Sequence, residues 1–246
     1  MLMSTMVFDI ETTAQPVENF DEVQQEYLFR EAESQPDEVS KERKRAEISN
    51  LFSLWALTGQ VVSIGMMNPH TLRGKSLYLA DDFEETPPGS DVEFIPCPDE
   101  AELLASFWEA AAKFDTVVTF NGRSFDVPFL YLRSAVLNVP ISRKDWLGYR
   151  YQESPHCDLL DQLTFYNVSG RTGAARTFNL DFYCKVFGIV SPKAQGVTGH
   201  DVPRMMEEGR YREIAEYCMR DVRATVELYR VWNERLRDLS SKYSKH

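Results

Sequence analysis

The chain has 246 residues, 43% of them hydrophobic and 12% aromatic, which excludes a disordered, collagen-like or rod-like protein. That length suits one generous domain that buries its core without disulfides or structural metal. The formal charge is −11, from 27 basic and 38 acidic residues, which argues against a broad electrostatic grip on nucleic acid or an anionic membrane.

The imbalance is uneven: residues 1–100 carry 20 acids and 7 bases, residues 101–246 carry 18 and 20. Cys97, Cys157, Cys184 and Cys218 form no CxxC pair, and His70, His156, His200 and His246 have no metal-ligand spacing. Buried thiols are expected, not zinc or disulfides. No apolar run approaches the length of about 20 that spans a bilayer. The start MLMSTMVFDIE lacks the basic segment of a secretory signal, so a reducing, cytoplasmic compartment is the default expectation.

In chain order, Thr5 to Ile10 reads as a strand, apolar and bounded by polar residues. The polar stretch after it predicts two helices, roughly 20–33 and 37–57, the second starting at Pro36-Asp37-Glu38. They form a helical insertion at about 15–57. The run Lys41 to Arg45 is either a nucleic-acid patch or a solvated helix face, and its mixed-sign charge favours the face. Strands follow at Gln60–Met67, Lys75–Ala80 and Val92–Ile95. Pro98-Asp99-Glu100 opens a helix whose apolar stripe is Leu103, Leu104, Phe107, Trp108 and Ala111. Thr116–Phe120 is a strand, and Val127–Leu137 a helix with Asp126 as its N-cap. Residues 156–166 run from a short strand into a helix. Another helix covers 178–187 and stops at Gly188. Pro192–Gly199 is a loop, and a long helix closes the chain at about 210–239. Successive strands followed by alternating helices and strands predict an α/β mixed sheet: a three-strand antiparallel meander extended by parallel strands and flanked by helices.

Four acids sit in awkward places. Asp9 and Glu11 are two apart on a strand and share a face, while Met6, Phe8 and Ile10 fill the other. Side by side in a core strand they repel, and burying them unpaired is costly. A divalent cation between them resolves this; so would Glu11 lying past the strand end in water with Asp9 paired to a base. Asp126 follows a strand end, where ligand sites gather, and is equally an ordinary helix cap. Asp221 lies on the apolar stripe of the last helix, with Ile214, Cys218, Thr225, Leu228, Trp232 and Leu236. An Asp on that stripe breaks the pattern, as functional residues do. The alternative is a buried ion pair with Arg220 or Arg223, although both fall on other helix faces. Tyr217, four residues earlier, shares the face of Asp221.

At these residues the chain resembles the DEDD superfamily of 3′–5′ exonucleases. The first motif is Phe8-Asp9-Ile10-Glu11-Thr12-Thr13, the second runs from Phe120 to Leu130, and the third is Tyr217-Cys218-Met219-Arg220-Asp221. Tyr217, where another branch has histidine, is similar to the DEDDy branch. Within it the chain resembles the proofreading domain of family B DNA polymerases and free-standing relatives. His156-Cys157-Asp158-Leu159, Tyr211 to Tyr229 and Ser191-Pro192-Lys193 are similar to that branch too. The third motif lies on the last predicted helix, so no polymerase domain is expected within the chain.

The resemblance implies a single ribonuclease H-like domain over 1–246 and hydrolysis of single-stranded DNA or RNA from its 3′ end. It implies two divalent ions, Mg²⁺ or Mn²⁺. Asp9 would bridge both, Glu11 and Asp221 would complete the water-activating site, Asp126 would hold the second ion, and Tyr217 would position the water. It also implies that Asn121, Phe125 and the backbone around Ile10 and Thr12 meet the terminal nucleotides. Phe125 is alternatively a plain core residue against its own helix. Lys193, Arg123 and Arg176 are candidate phosphate contacts. Asp158 is either a fifth acid of the site or the cap of the helix that follows. Two other outcomes stay open: a catalytically weak binding module that keeps the fold, and an endonuclease of the same fold. The intact acid set argues against the first.

Overall fold

A computed structural model describes residues 4–80, 89–166, 174–191 and 199–241. Its strands are β1 (Thr5–Ala14), β2 (Gly59–Met67), β3 (Gly74–Leu79), β4 (Val92–Cys97), β5 (Thr116–Thr119) and β6 (His156–Asp158). They form one sheet in the order β4-β3-β2-β1-β5-β6. β1, β2 and β3 are the expected antiparallel meander. β5 runs parallel to β1, β6 to β5, and β4 to β3 at the far edge.

Helices α1 (Glu22–Glu33) and α2 (Glu38–Ser49) lie between β1 and β2. Asp21 and Asp37 cap them by accepting from the backbone N–H groups of Gln24 and Ser40. α3 (Glu100–Ala111) and α4 (Asp126–Val136) cover one face of the sheet, and α8 (Tyr211–Arg235) covers the other. The short helices are α5 (Leu159–Leu163), α6 (Leu180–Phe187), α7 (Val202–Glu207) and α9 (Arg237–Ser241). Among the described residues, no helix is long and apolar enough to cross a membrane.

Alternation along β1 builds both core layers. Met6, Phe8 and Ile10 pack with Leu103, Phe107, Trp108, Leu130 and Trp146. Val7 turns the other way and joins Val118, Met219, Val222 and Trp232. Each such large side chain contributes roughly 1.5–3 kcal/mol on burial. All four cysteines are buried and free, as expected.

Several boundaries differ from expectation. β1 continues to Ala14 rather than stopping at Ile10, because Thr12 and Thr13 are β-branched and pair with Val61 and Gln60. α2 stops at Ser49, not 57, and a short 3₁₀ turn at Phe52–Leu54 follows. α7 was not anticipated. The terminal helix breaks at Leu236, where the backbone leaves helical values, and resumes as α9. The expected loop at 192–199 lies outside the described residues except for Gly199. The Lys41–Arg45 run is a solvated face: Lys41 pairs with Glu38, Lys44 with Glu31, and Arg45 with Glu33.

Candidate metal centre

The site forms where β1 outruns its parallel neighbour. Pairing with β5 ends at Val7–Val118, while pairing with β2 continues past Asp9 and Glu11. Asp9 and Glu11 therefore stand beyond the carboxyl end of β5, on the α8 face. A bulge follows between Glu11 and Thr12, opposite Val62. Bulges of this kind re-aim side chains beside functional sites. Glu11 is buried and lies inside the strand, so it does not project into water past a strand end.

Asp126 arrives from the β5–α4 loop. It is the first residue of α4 rather than its cap; Phe125 holds the cap position and no side chain bonds the helix end. The Asp126 carboxylate accepts from the Ile10 N–H at 3.2 Å and from its own N–H at the start of α4. Two backbone features shape the loop. Asn121 sits at φ 66°, a left-handed conformation that asparagine tolerates. Gly122 packs so tightly that a Cβ would meet the Thr119 hydroxyl oxygen at 2.4 Å. Asp158 pins the loop by accepting from the N–H groups of Asn121 at 2.9 Å and Arg123 at 2.8 Å, and it also caps α5 through Leu160.

Asp221 and Tyr217 arrive on α8. Close approach of that helix needs Gly65, where a Cβ would lie 2.9 Å from Val222 and 3.1 Å from the Cys218 sulfur. Cys218 ties the helix to the strands, accepting from the Gly65 N–H at 3.2 Å and donating to the Asp9 carbonyl at 3.4 Å. The Tyr217 hydroxyl bonds the Asp221 carboxylate. Arg220 lies over the Tyr217 ring at 5.5 Å. Asp9 and Asp221 are half-buried; Glu11 and Asp126 are buried.

The electrostatics are those of crowded carboxylates. Burial, then the charges of Asp126, Asp221 and Glu11, push the Asp9 carboxyl well above its ordinary range. Burial, then Asp221 and Asp126, do the same to Glu11, with Arg220 opposing. Burial, helped by the Asp158 charge, raises Asp126 to about 7, although bonds from its own N–H and from Ile10 pull the other way. Burial and the neighbouring carboxylates raise the Tyr217 phenol too, so it stays neutral.

The donor set fits a hard divalent cation. Single oxygens of Asp9 and Glu11 lie within 4.8 Å of each other and of the Cys218 sulfur. Burial keeps that thiol protonated and it already bonds backbone on both sides, so oxygen ligands remain. Repelling, desolvated carboxylates on separate elements are stabilised by such an ion and by little else.

Thr12 is buried, its hydroxyl donating to the Ser53 carbonyl at 2.6 Å, which ties the helical segment to the site. Phe125 is half-buried against Phe129, ring centroids 5.5 Å apart. Ile10 spends its N–H on Asp126. Arg176 lies over the Phe178 ring at 5.2 Å. Arg123 does not fit its expected phosphate role: its guanidinium turns inward to the carbonyls of Gly148 and His156. Lys193 lies outside the described residues. Sequence reasoning missed Gly65 and the clamping role of Cys218. Only the place of Cys218 on the Asp221 stripe hinted at the latter.

Two families match. Residues 91–242 match "Predicted 3'-5' exonuclease related to the exonuclease domain of PolB", and residues 2–150 match "DNA polymerase family B, exonuclease domain". The chain is 32% identical over 146 residues to a DNA polymerase of Pyrococcus glycovorans, covering 53% of this chain and 18% of that one. It is 31% identical over 144 residues to an uncharacterized protein of Methanocaldococcus jannaschii, covering 54% of this chain and 75% of that one. The solved family B DNA polymerase of Pyrobaculum calidifontis superposes with a TM-score of 0.57 at 21% identity, covering 97% of this chain and 26% of that one. Its fold is shared: the six-stranded sheet flanked by helices is the ribonuclease H-like exonuclease fold. The chain spans less than a fifth of the Pyrococcus polymerase. It belongs to the 3′–5′ exonuclease family related to the exonuclease domain of family B DNA polymerases.

Proposed function

We propose, from that membership, that the chain is a divalent-metal-dependent enzyme of the DEDDy branch that removes mononucleotides from the 3′ end of single-stranded nucleic acid. The observation that carries it is the convergence of Asp9, Glu11, Asp126 and Asp221, from three separate elements, with Asp126 and Asp221 close enough to raise the proton affinity of both Asp9 and Glu11. Two bound ions, Mg²⁺ or Mn²⁺, would activate water and stabilise the leaving oxygen.

In this reading Asp9, Glu11, Asp126 and Asp221 would hold the ions, with Asp9 shared between them, Glu11 and Asp221 serving the position that activates water, and Asp126 serving the other. A neutral Tyr217 is no general base. Its hydroxyl proton goes to Asp221, which leaves its oxygen lone pairs to accept from the water and aim it. Asn121, Phe125 and the backbone at Thr12 would meet the last nucleotides. Stacking on Phe125 would tolerate any base. Lys193 remains a proposed phosphate contact.

The test is mononucleotide release from matched 5′-labelled DNA and RNA strands with Mg²⁺ or Mn²⁺, wild type beside Asp9→Ala. Release by wild type alone supports the reading. Strand binding without release supports a binding module instead, and cutting of circular strands an endonuclease.

A further inference from the structure

α5 ends on an aromatic residue where chains ordinarily place glycine. Phe165 donates its N–H to Gln162 at 3.2 Å and Tyr166 donates to Asp161 at 2.7 Å, the closing pair of a left-handed helix terminus. Phe165 and Tyr166 accordingly have φ of 52° and 62°. Glycine enters that region freely; a bulky side chain enters it under strain. Burial does not compensate, because Phe165 is 58% exposed. Strain held at an exposed residue points to a contact made outside the folded chain.

The neighbours extend the feature. The Tyr166 ring, its hydroxyl bonded by Gln162, meets Tyr151 at 4.8 Å, and Tyr151 meets Tyr149 at 5.5 Å. Tyr149 and Tyr151 are 68% and 58% exposed. Arg150 stands between them and pairs with Asp161 on α5. The loop from α4 to β6 carries Arg143, Lys144 and Arg150 against two acids, Asp145 and Glu153, with Arg143 paired to Asp145.

This ladder is bolted to the candidate metal centre. Arg123 bonds Gly148, next to Tyr149, and its own N–H is held with that of Asn121 by Asp158 at the start of α5. At 1.5 Å rise per residue the five residues of α5 carry the chain about 7.5 Å from Asp158 toward the turn that holds Phe165. That is about two base steps at 3.4 Å each.

We propose that Phe165, Tyr151 and Tyr149 form a second stacking surface for single-stranded nucleic acid, engaging bases upstream of the 3′ end. It rests on the exonuclease reading for its substrate class. Exposed rings on either side of Arg150, tied through Arg123 to the loop that carries Asn121, favour a nucleic-acid strand over a protein partner. The surface also supplies local grip to a chain whose net charge is −11.

The test pairs calorimetric affinity for a dodecamer, oligothymidylate or oligouridylate, with mononucleotide release from the matching dinucleotide. Phe165→Gly and Tyr151→Ala should weaken dodecamer binding about tenfold each and leave dinucleotide turnover unchanged. Phe165→Gly should also raise Tm, since glycine relieves the left-handed strain, whereas loss of a merely structural ring would lower it. Unchanged dodecamer affinity in both variants overturns the proposal. So does a wild-type dimer that the variants dissolve without loss of strand binding. If wild type releases no mononucleotide yet the variants still lose dodecamer affinity, the exonuclease reading fails and the stacking surface stands.

Discussion

The two faces of the sheet treat buried carboxylates in opposite ways. On the α3–α4 face, Glu100 accepts from Arg133 Nε at 2.9 Å, from Arg133 Nη2 at 2.6 Å and from the Val61 N–H at 2.8 Å. Arg133 also reaches the Ala56 carbonyl. Charge and hydrogen bonds there close on themselves. On the α8 face, Asp9 and Glu11 meet chiefly other acids. The contrast separates a structural acid from a candidate ligand: among the described residues, one has its countercharge built in and the other faces mainly like charge.

The largest expected effect breaks the open side of that comparison. Asp9→Ala or Asp221→Ala should lower metal-dependent strand hydrolysis by about 10³-fold or more, as loss of a metal ligand removes several kcal/mol of transition-state stabilisation. Circular dichroism should show the fold intact. Unfolding of these variants would instead place the acids among the structural ones. The matching change on the closed side is Glu100→Ala, which strands a buried Arg133. It should cost about 3–5 kcal/mol in urea unfolding, with activity per folded molecule preserved. Glu100→Gln with Arg133→Met should recover much of that.

Tyr217→Phe sharpens the role of α8. It should lower turnover by about 10- to 100-fold, the worth of one hydrogen bond to a charged partner, with metal affinity retained by calorimetry. A pH series on chelator-treated protein tests the cluster itself. Acids raised in the folded state bind more protons there than in the unfolded chain, so stability falls as pH rises from about 4, the unfolded value, toward the folded value of about 7 for Asp126. Tm should therefore drop across that window, and added Mg²⁺ should remove most of the drop by binding the ionised form. A flat profile would mean the acids have another partner. The smallest effect is expected at the surface: Lys44→Ala, which loses an exposed pair with Glu31, should change stability by less than about 1 kcal/mol.

Local periodicity made part of this legible in advance. The two-residue repeat puts Asp9 and Glu11 on one face, and the helical stripe carries Asp221 toward the core; both hold in the folded chain. Glu100 shows the limit. In the sequence it only marks the start of a helix, because nothing local announces that Arg133, on the next helix, will meet it. Asp126 shows the same limit in reverse. An N-cap is the ordinary expectation for that position, and only the overshoot of β1 past β5 leaves the Ile10 N–H for its carboxylate. Arg123 looked like a phosphate contact by residue type, but its target carbonyls lie more than twenty residues away.

The sequence by itself determined which acids could serve a metal, which face each would take on its own element, and the family to which their spacing belongs. Those are properties of repeats two to four residues long. Tertiary structure alone decided that the acids converge, that Gly65 and Cys218 let α8 close on β1, that Glu100 meets Arg133 while Asp9 meets other acids, and that Phe165 stands strained in solvent. Convergence and charge pairing join residues far apart in the chain, so they appear only once the sheet and helices have packed.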